Sequence, residues 1–143
     1  MRIGLARLGI GIVLFANVQC AIVFIFQPDI FAPSYELSGD IGAATLRSIG
    51  ILFLMWNVPY AVAFWHPIRY RLSLWEAVAM QSIGVCGETA LTITLPAGHP
   101  ILHTALERFI AFDGFGLVLL LAAVWLCRSS EQLIRASSPS RRK

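Results

Sequence analysis

Hydrophobic positions fall into four long runs, residues 3–26, 41–65, 72–95 and 101–127, separated by short segments where proline, glycine and charge collect. Each run is about 24 to 27 residues, more than the roughly 20 an α-helix needs to cross a bilayer core. Amides in lipid have no water to bond, so spans of this length are expected to be helices. The first run is longer than a signal-peptide core, and Cys20 is followed by the apolar Ala21-Ile22-Val23-Phe24 with no cleavage site. It reads as a retained span.

The separators carry breakers. Helix 1 is expected to end at Gln27-Pro28-Asp29, and Pro33 to keep the next segment from becoming helical. Ser38-Gly39-Asp40 offers N-cap candidates for helix 2, His66-Pro67 stops it, and Pro96-Ala97-Gly98-His99-Pro100 divides helices 3 and 4. Residues 1–128 are expected to form one four-helix transmembrane domain, and the Ser- and Arg-rich residues 129–143 a flexible basic tail. The fold class expected is an all-α membrane protein, an antiparallel up-down bundle of four transmembrane helices. The first loop, with Pro28 and Pro33, is expected to be ordered, Phe31 and Tyr35 dipping back toward the bundle.

Composition sharpens the picture. Hydrophobic residues make up 57% of the 143 and charged ones 13%, about half the share of an ordinary soluble domain. The net charge of +3 does not indicate nucleic acid, because the basic residues gather at span ends and in the tail. Arg2, Arg7, Arg69, Arg71, Arg128 and the tail arginines all fall on one side, while the first loop has Asp29, Glu36 and Asp40 but no base. The positive-inside rule puts both termini and the 66–71 hairpin in the cytoplasm. Tyr60, Trp65, Tyr70, Trp75 and Trp125 are expected to form an interfacial belt on that side. Ten Arg against one Lys point to a high-GC genome, and so to a multi-pass protein of a bacterial inner membrane.

Ionisable side chains inside spans mark function by default. Arg47, Glu88, Glu107, Arg108 and Asp113 all lie inside the runs. At 1.5 Å per residue, Arg47 is roughly 9 Å, Glu107 and Arg108 about 10 Å, and Glu88 about 11 Å from the helix ends nearest the first loop. Asn17 and Gln19 of helix 1 lie at a comparable level. These seven residues are the candidate cluster, either a hydrogen-bonded network fixing register or a ligand-binding or proton-relaying pocket. Arg47 is expected to pair with Glu88, and Arg108 with Glu107 or a helix 1 amide. Asp113, deeper, is expected to be protonated or bonded to a group such as Asn17 or Asn57. In helix 3, Ala77, Gln81, Gly84 and Glu88 form one stripe, and in helix 4 so do His103, Glu107, Ala111 and Gly114.

Other chemistries are set aside. His66, His99 and His103 lie in loops or at a helix end, which suits neither haem nor zinc. Cys20, Cys86 and Cys127 are too scattered for thiol redox work, and no nucleophile–base set stands at depth. No catalytic residue, metal or cofactor is expected.

The layout resembles the small four-helix DoxX-like membrane proteins, including the BphX-like group. The features carrying this are Gln27-Pro28 after helix 1, Gly42…Arg47-Ser48-Ile49-Gly50 in helix 2, the hairpin Pro67-Ile68-Arg69-Tyr70-Arg71, and Gly84-Val85-Cys86-Gly87-Glu88 in helix 3. The resemblance implies the four-helix fold but no settled activity, some members being similar to oxidoreductase partners or quinone-linked subunits. The expected function is an accessory or lipophilic-ligand-binding membrane component, possible partners being the bilayer, a lipophilic small molecule and other membrane subunits. A proton-coupled carrier using Glu88, Glu107 and Asp113, or an oxidoreductase-associated component, is the alternative.

Overall fold

A computed structural model describes residues 1–137, leaving aside the side chains of 131 and 133–137. Every element among these residues is helical: α1 (Arg2–Phe26), α2 (Pro28–Phe31), a 3-10 turn (Ala32–Tyr35), α3 (Gly39–Trp56), α4 (Val58–Trp65), α5 (Arg71–Thr94) and α6 (Pro100–Ser137). Three stretches, Arg2–Phe26, Gly39–Trp65 and Pro100–Ser130, are long and apolar enough to cross a membrane. α5 is 24 residues long, but Gln81, Glu88 and its threonines leave it less apolar than the other three. Phe15, Phe26, Phe115 and Trp125 are each more than 60% exposed. Large apolar side chains turned outward in such number suit lipid and not water.

The element boundaries follow local chemistry and correct the sequence reading in three places. Pro28 and Pro33 start helical turns and do not prevent them, since a first-turn position has no intrahelical use for the missing N–H. The second span is interrupted at Asn57: Pro59 has no N–H for the Met55 carbonyl, and Asn57 Nδ2 donates to the Phe53 carbonyl at 2.6 Å. The last helix continues past Cys127 to Ser137. The expected flexible tail is therefore helical over its first part, and Arg141, Arg142 and Lys143 lie outside the described residues. Ser38 does occupy the N-cap of α3, although its hydroxyl makes no capping bond, and Asp40 sits in the first turn, favourable to the helix dipole.

Packing forms two cores. Near the 66–70 turn, Ala6, Ile10 and Val13 of α1, Tyr60 and Ala63 of α4, Leu74, Ala77 and Val78 of α5, and Leu120 and Ala123 of α6 bury one another. Arg7 of α1 closes this end, its Nε donating to the Phe64 carbonyl at 3.0 Å and its guanidinium lying 5.2 Å from the Phe64 ring centroid. Toward the first loop, Phe24, Ala32 and Leu46 are buried with Phe31, Tyr35, Phe53 and Phe109 packed around them. Gly50 permits this second core, because a Cβ there would stand 2.9 Å from the Ala21 carbonyl oxygen. α5 contributes to the first core and has no residue in the second. Likewise α4 packs on α5, whereas α3 packs on α1 with no comparable contact to α5. The break at Asn57 thus separates a half of the span that joins the four-helix core from a half that leaves α5 uncovered.

Candidate functional site

The polar side chains that meet are not the set expected from depth alone. Gln81 of α5 is 3% exposed, and its Nε2 donates to Asp113 Oδ1 of α6 at 2.8 Å. Its Oε1 accepts from the Tyr60 hydroxyl of α4 at 2.7 Å, and the Ala77 carbonyl is a second acceptor for that hydroxyl at 3.1 Å. Tyr60 is therefore 3% exposed in the core and not part of the aromatic belt. Trp65, Trp75 and Trp125 do face outward. The sequence pattern places Gln81 on the stripe of α5 but gives it no partner, and it assigns Tyr60 to the interfacial belt. The available signal was a tyrosine just beyond the Asn57-Val58-Pro59 interruption, at a depth where Gln81 could receive it.

Two glycines make room for the chain. Asp113 Oδ2 lies over Gly84, where any Cβ would collide with it, and a Cβ on Gly116 would stand 2.8 Å from Gln81 Nε2. The close packing of α5 on α6 and the Gln81–Asp113 bond thus depend on the same small residues.

Glu88 lies on the same stripe of α5, toward the first loop. It is half-buried, and its Oε2 is buried without a hydrogen-bond partner among the described residues. Asp113 is within its electrostatic reach. The expected Arg47–Glu88 pair does not form: the one salt bridge among the described residues joins Glu36 and His99. Arg47, Glu107, Arg108 and Gln19 are exposed, while Asn17 is half-buried. The neutral layer of two acids and two bases is therefore not assembled. The reason is rotational: depth was matched, but Leu46, Ala43 and Gly50 carry the buried face of α3 and turn Arg47 away. Asp113 is held by Gln81 and not by Asn17 or Asn57, and Asn57 Oδ1 is itself buried with no hydrogen-bond partner among the described residues. On α6 the inward positions are Leu106, Gly116 and Leu120, not the stripe through Glu107 and Ala111, both exposed. Charges turned outward within a span cost about 2.5–3.5 kcal/mol each at its centre unless something covers them.

The first loop is ordered, and Phe31 and Tyr35 pack back on the bundle as expected. Tyr35 packs on Phe24 and Phe109, with ring centroids 6.1 and 6.0 Å apart. Burial pushes its phenol above the usual tyrosine range, with Cys20, Glu88 and Asp113 reinforcing the shift and Arg108 opposing it. Next to Tyr35, Glu36, at φ 56°, is latched to the start of α6: Oε2 meets His99 Nδ1 at 2.5 Å and Oε1 accepts from the Leu102 N–H at 3.4 Å. That His99 bond, ahead of the backbone bonds to Leu102 and Ile101, holds the Glu36 carboxyl below its ordinary value.

Chemically, the arrangement offers two carboxylates and an amide, with no basic side chain among the described residues bonded to them. Among the described residues no three His, Cys, Asp or Glu side chains converge as a metal site requires. Two surface grooves lie elsewhere, one between Pro67 and Arg128 and one beside Ser34 and Arg108. No family model, curated protein or solved structure matches this chain.

Proposed function

We propose that this chain is a four-span, up-down bundle of a bacterial inner membrane, its termini cytoplasmic, that binds a lipophilic molecule at Glu88 and Asp113. The observation carrying this reading is Glu88: a half-buried carboxylate with an unpartnered oxygen, on the stretch of α5 that the second core leaves uncovered. An uncompensated carboxylate is costly in a low-dielectric interior, so it calls for a proton or for a ligand group that donates to it. α3 has no contact with α5 comparable to that of α4, and in this reading a molecule from lipid enters on that side. In this reading Tyr35, packed on Phe24 and Phe109, and the first loop latched to α6 form the water side of the site. The reading takes α5 as the fourth span, its polar stripe turned toward the site and Ile83, Leu91 and Ile93 toward lipid. Arg69 and Arg128, lying over Tyr70 and Trp75 at 5.5 and 5.2 Å, suit a cytoplasmic interface. The layout resemblance to DoxX-like proteins agrees with this reading.

A second reading, a proton-coupled carrier, is favoured by one observation. Tyr60, Gln81 and Asp113 form a continuous hydrogen-bonded chain from the core toward Glu88. Native mass spectrometry of the gently extracted chain tests the leading reading. The wild type retains a lipophilic mass, and Glu88→Gln loses it with helix content unchanged. A wild type that carries only bulk lipid, shared equally by the variant, contradicts it.

A further inference from the structure

Glu107 and Arg108 are exposed on α6, without a hydrogen bond or ion pair among the described residues. As sequence neighbours about 100° apart they do not face each other on their own helix. Thr104, Ala111 and Phe115 are also exposed, at three- and four-residue steps that place them around the same charged strip. Nothing lies within 4 Å of where a Cβ on Gly114 would stand, so another helix could approach closely there. The strip thus carries two charges and the small residues Thr104, Ala111 and Gly114 beside Phe115, more polar than the apolar surfaces elsewhere on the bundle.

We infer that this strip is the contact face of a homodimer, with Glu107 of each copy paired to Arg108 of the other. The occupant follows from the charges. A two-fold axis along the membrane normal sets the two α6 helices parallel, so equal residue numbers meet at equal depth. Glu107 and Arg108 differ in depth by about one residue rise, 1.5 Å, so both reciprocal pairs form at once. A strip carrying one acid and one adjacent base is complementary to itself and needs no other polypeptide. Beside Arg108, between Ser34 and Thr104, an open groove of about 360 Å³ leaves room for the incoming carboxylate.

The test counts subunits of the full chain in lipid bilayers at low density, with disulfide cross-linking of a Gly114→Cys variant lacking the native cysteines. The wild type is dimeric, and Gly114→Cys cross-links to itself while Leu91→Cys on α5 does not. Glu107→Arg sets like charges opposite each other and lowers the dimer population about tenfold or more. Adding Arg108→Glu restores it, because both copies then carry the exchanged pair. Helix content by circular dichroism confirms that each variant is folded. A monomeric wild type, a dimer indifferent to Glu107→Arg, a double exchange that fails to recover, or a Gly114 cross-link to a different polypeptide overturns the inference.

Discussion

The Gln81 amide of α5 donates to the Asp113 carboxylate of α6 at 2.8 Å, directly above the two glycines, Gly84 and Gly116, that let these helices close on each other. Gln81 is also the acceptor for Tyr60, so one side chain joins three helices. Replacing it with Leu leaves Asp113 without its bonded partner and the Tyr60 hydroxyl with the Ala77 carbonyl alone. A loss of about 1–3 kcal/mol is expected, read as reduced thermal stability in detergent. Tyr60→Phe, which removes a donor and leaves Gln81 still bonded to Asp113, is milder, about 0.5–1.5 kcal/mol. Equal losses would show that the chain is not organised around Gln81.

The glycines give a second comparison. Gly84→Ala pushes a methyl group into Asp113 Oδ2, whereas Gly87, one turn on, has nothing within 4 Å of its Cβ position. Gly84→Ala is expected to destabilise by about 1–3 kcal/mol through overpacking, and Gly87→Ala to be neutral or slightly stabilising through helix propensity. Thermal unfolding of the two variants side by side decides it. Similar behaviour would mean that α5 is not pressed against Asp113.

Much of this is legible in the amino-acid sequence. Run length and breakers located the helices, and the Ala77–Gln81–Gly84–Glu88 stripe correctly marked the inward face of α5, because a pure three- and four-residue spacing fixes a helix face. What could not be read was rotation about the other helices. Arg47 and Glu107 match Glu88 in depth, yet depth says nothing about azimuth when apolar residues surround a helix on every side. In such a helix the lipid face and the core face have nearly the same composition, and small residues, Gly50 and Gly116 here, carry the distinction. The helical turns after Pro28 and Pro33 were missed because proline breaks a helix interior but suits its first turn.

The first loop should respond to acid. The Glu36 carboxyl is held below its ordinary value by its His99 bond first and the α6 backbone second. A depressed carboxylate contributes its share above the ordinary pKa and loses it as pH falls through the lowered value. Hydrogen exchange of residues 29–37, corrected for its intrinsic pH dependence, is therefore expected to be slow and level near neutral pH, and to rise only at pH below the usual glutamate range. Glu36→Ala should show the fast exchange at all pH values. Exchange that accelerates at the ordinary glutamate value would place the latch elsewhere.

Topology is testable with two single cysteines. Ser38 caps α3 in the first loop, and Gln132 is exposed on α6 beyond the last apolar stretch. Cysteines at these positions are expected to react with an impermeant reagent from opposite faces of oriented vesicles, with Gln132 cytoplasmic. Reaction from one face would leave an even number of crossings between residues 38 and 132, and α5 would not be a span.

The central claim is that Glu88 is reached from lipid, between α3 and α5, and is shielded from water by the first loop. Labelling with a pair of carbodiimides, one lipid-soluble and one water-soluble, followed by peptide mass spectrometry, tests this most directly. The account predicts that the lipid-soluble reagent modifies Glu88 and leaves Asp113, bonded to Gln81, largely unmodified, while the water-soluble reagent reaches neither. Modification of Glu88 by the water-soluble reagent in the intact chain, or no modification by the lipid-soluble one, would contradict it.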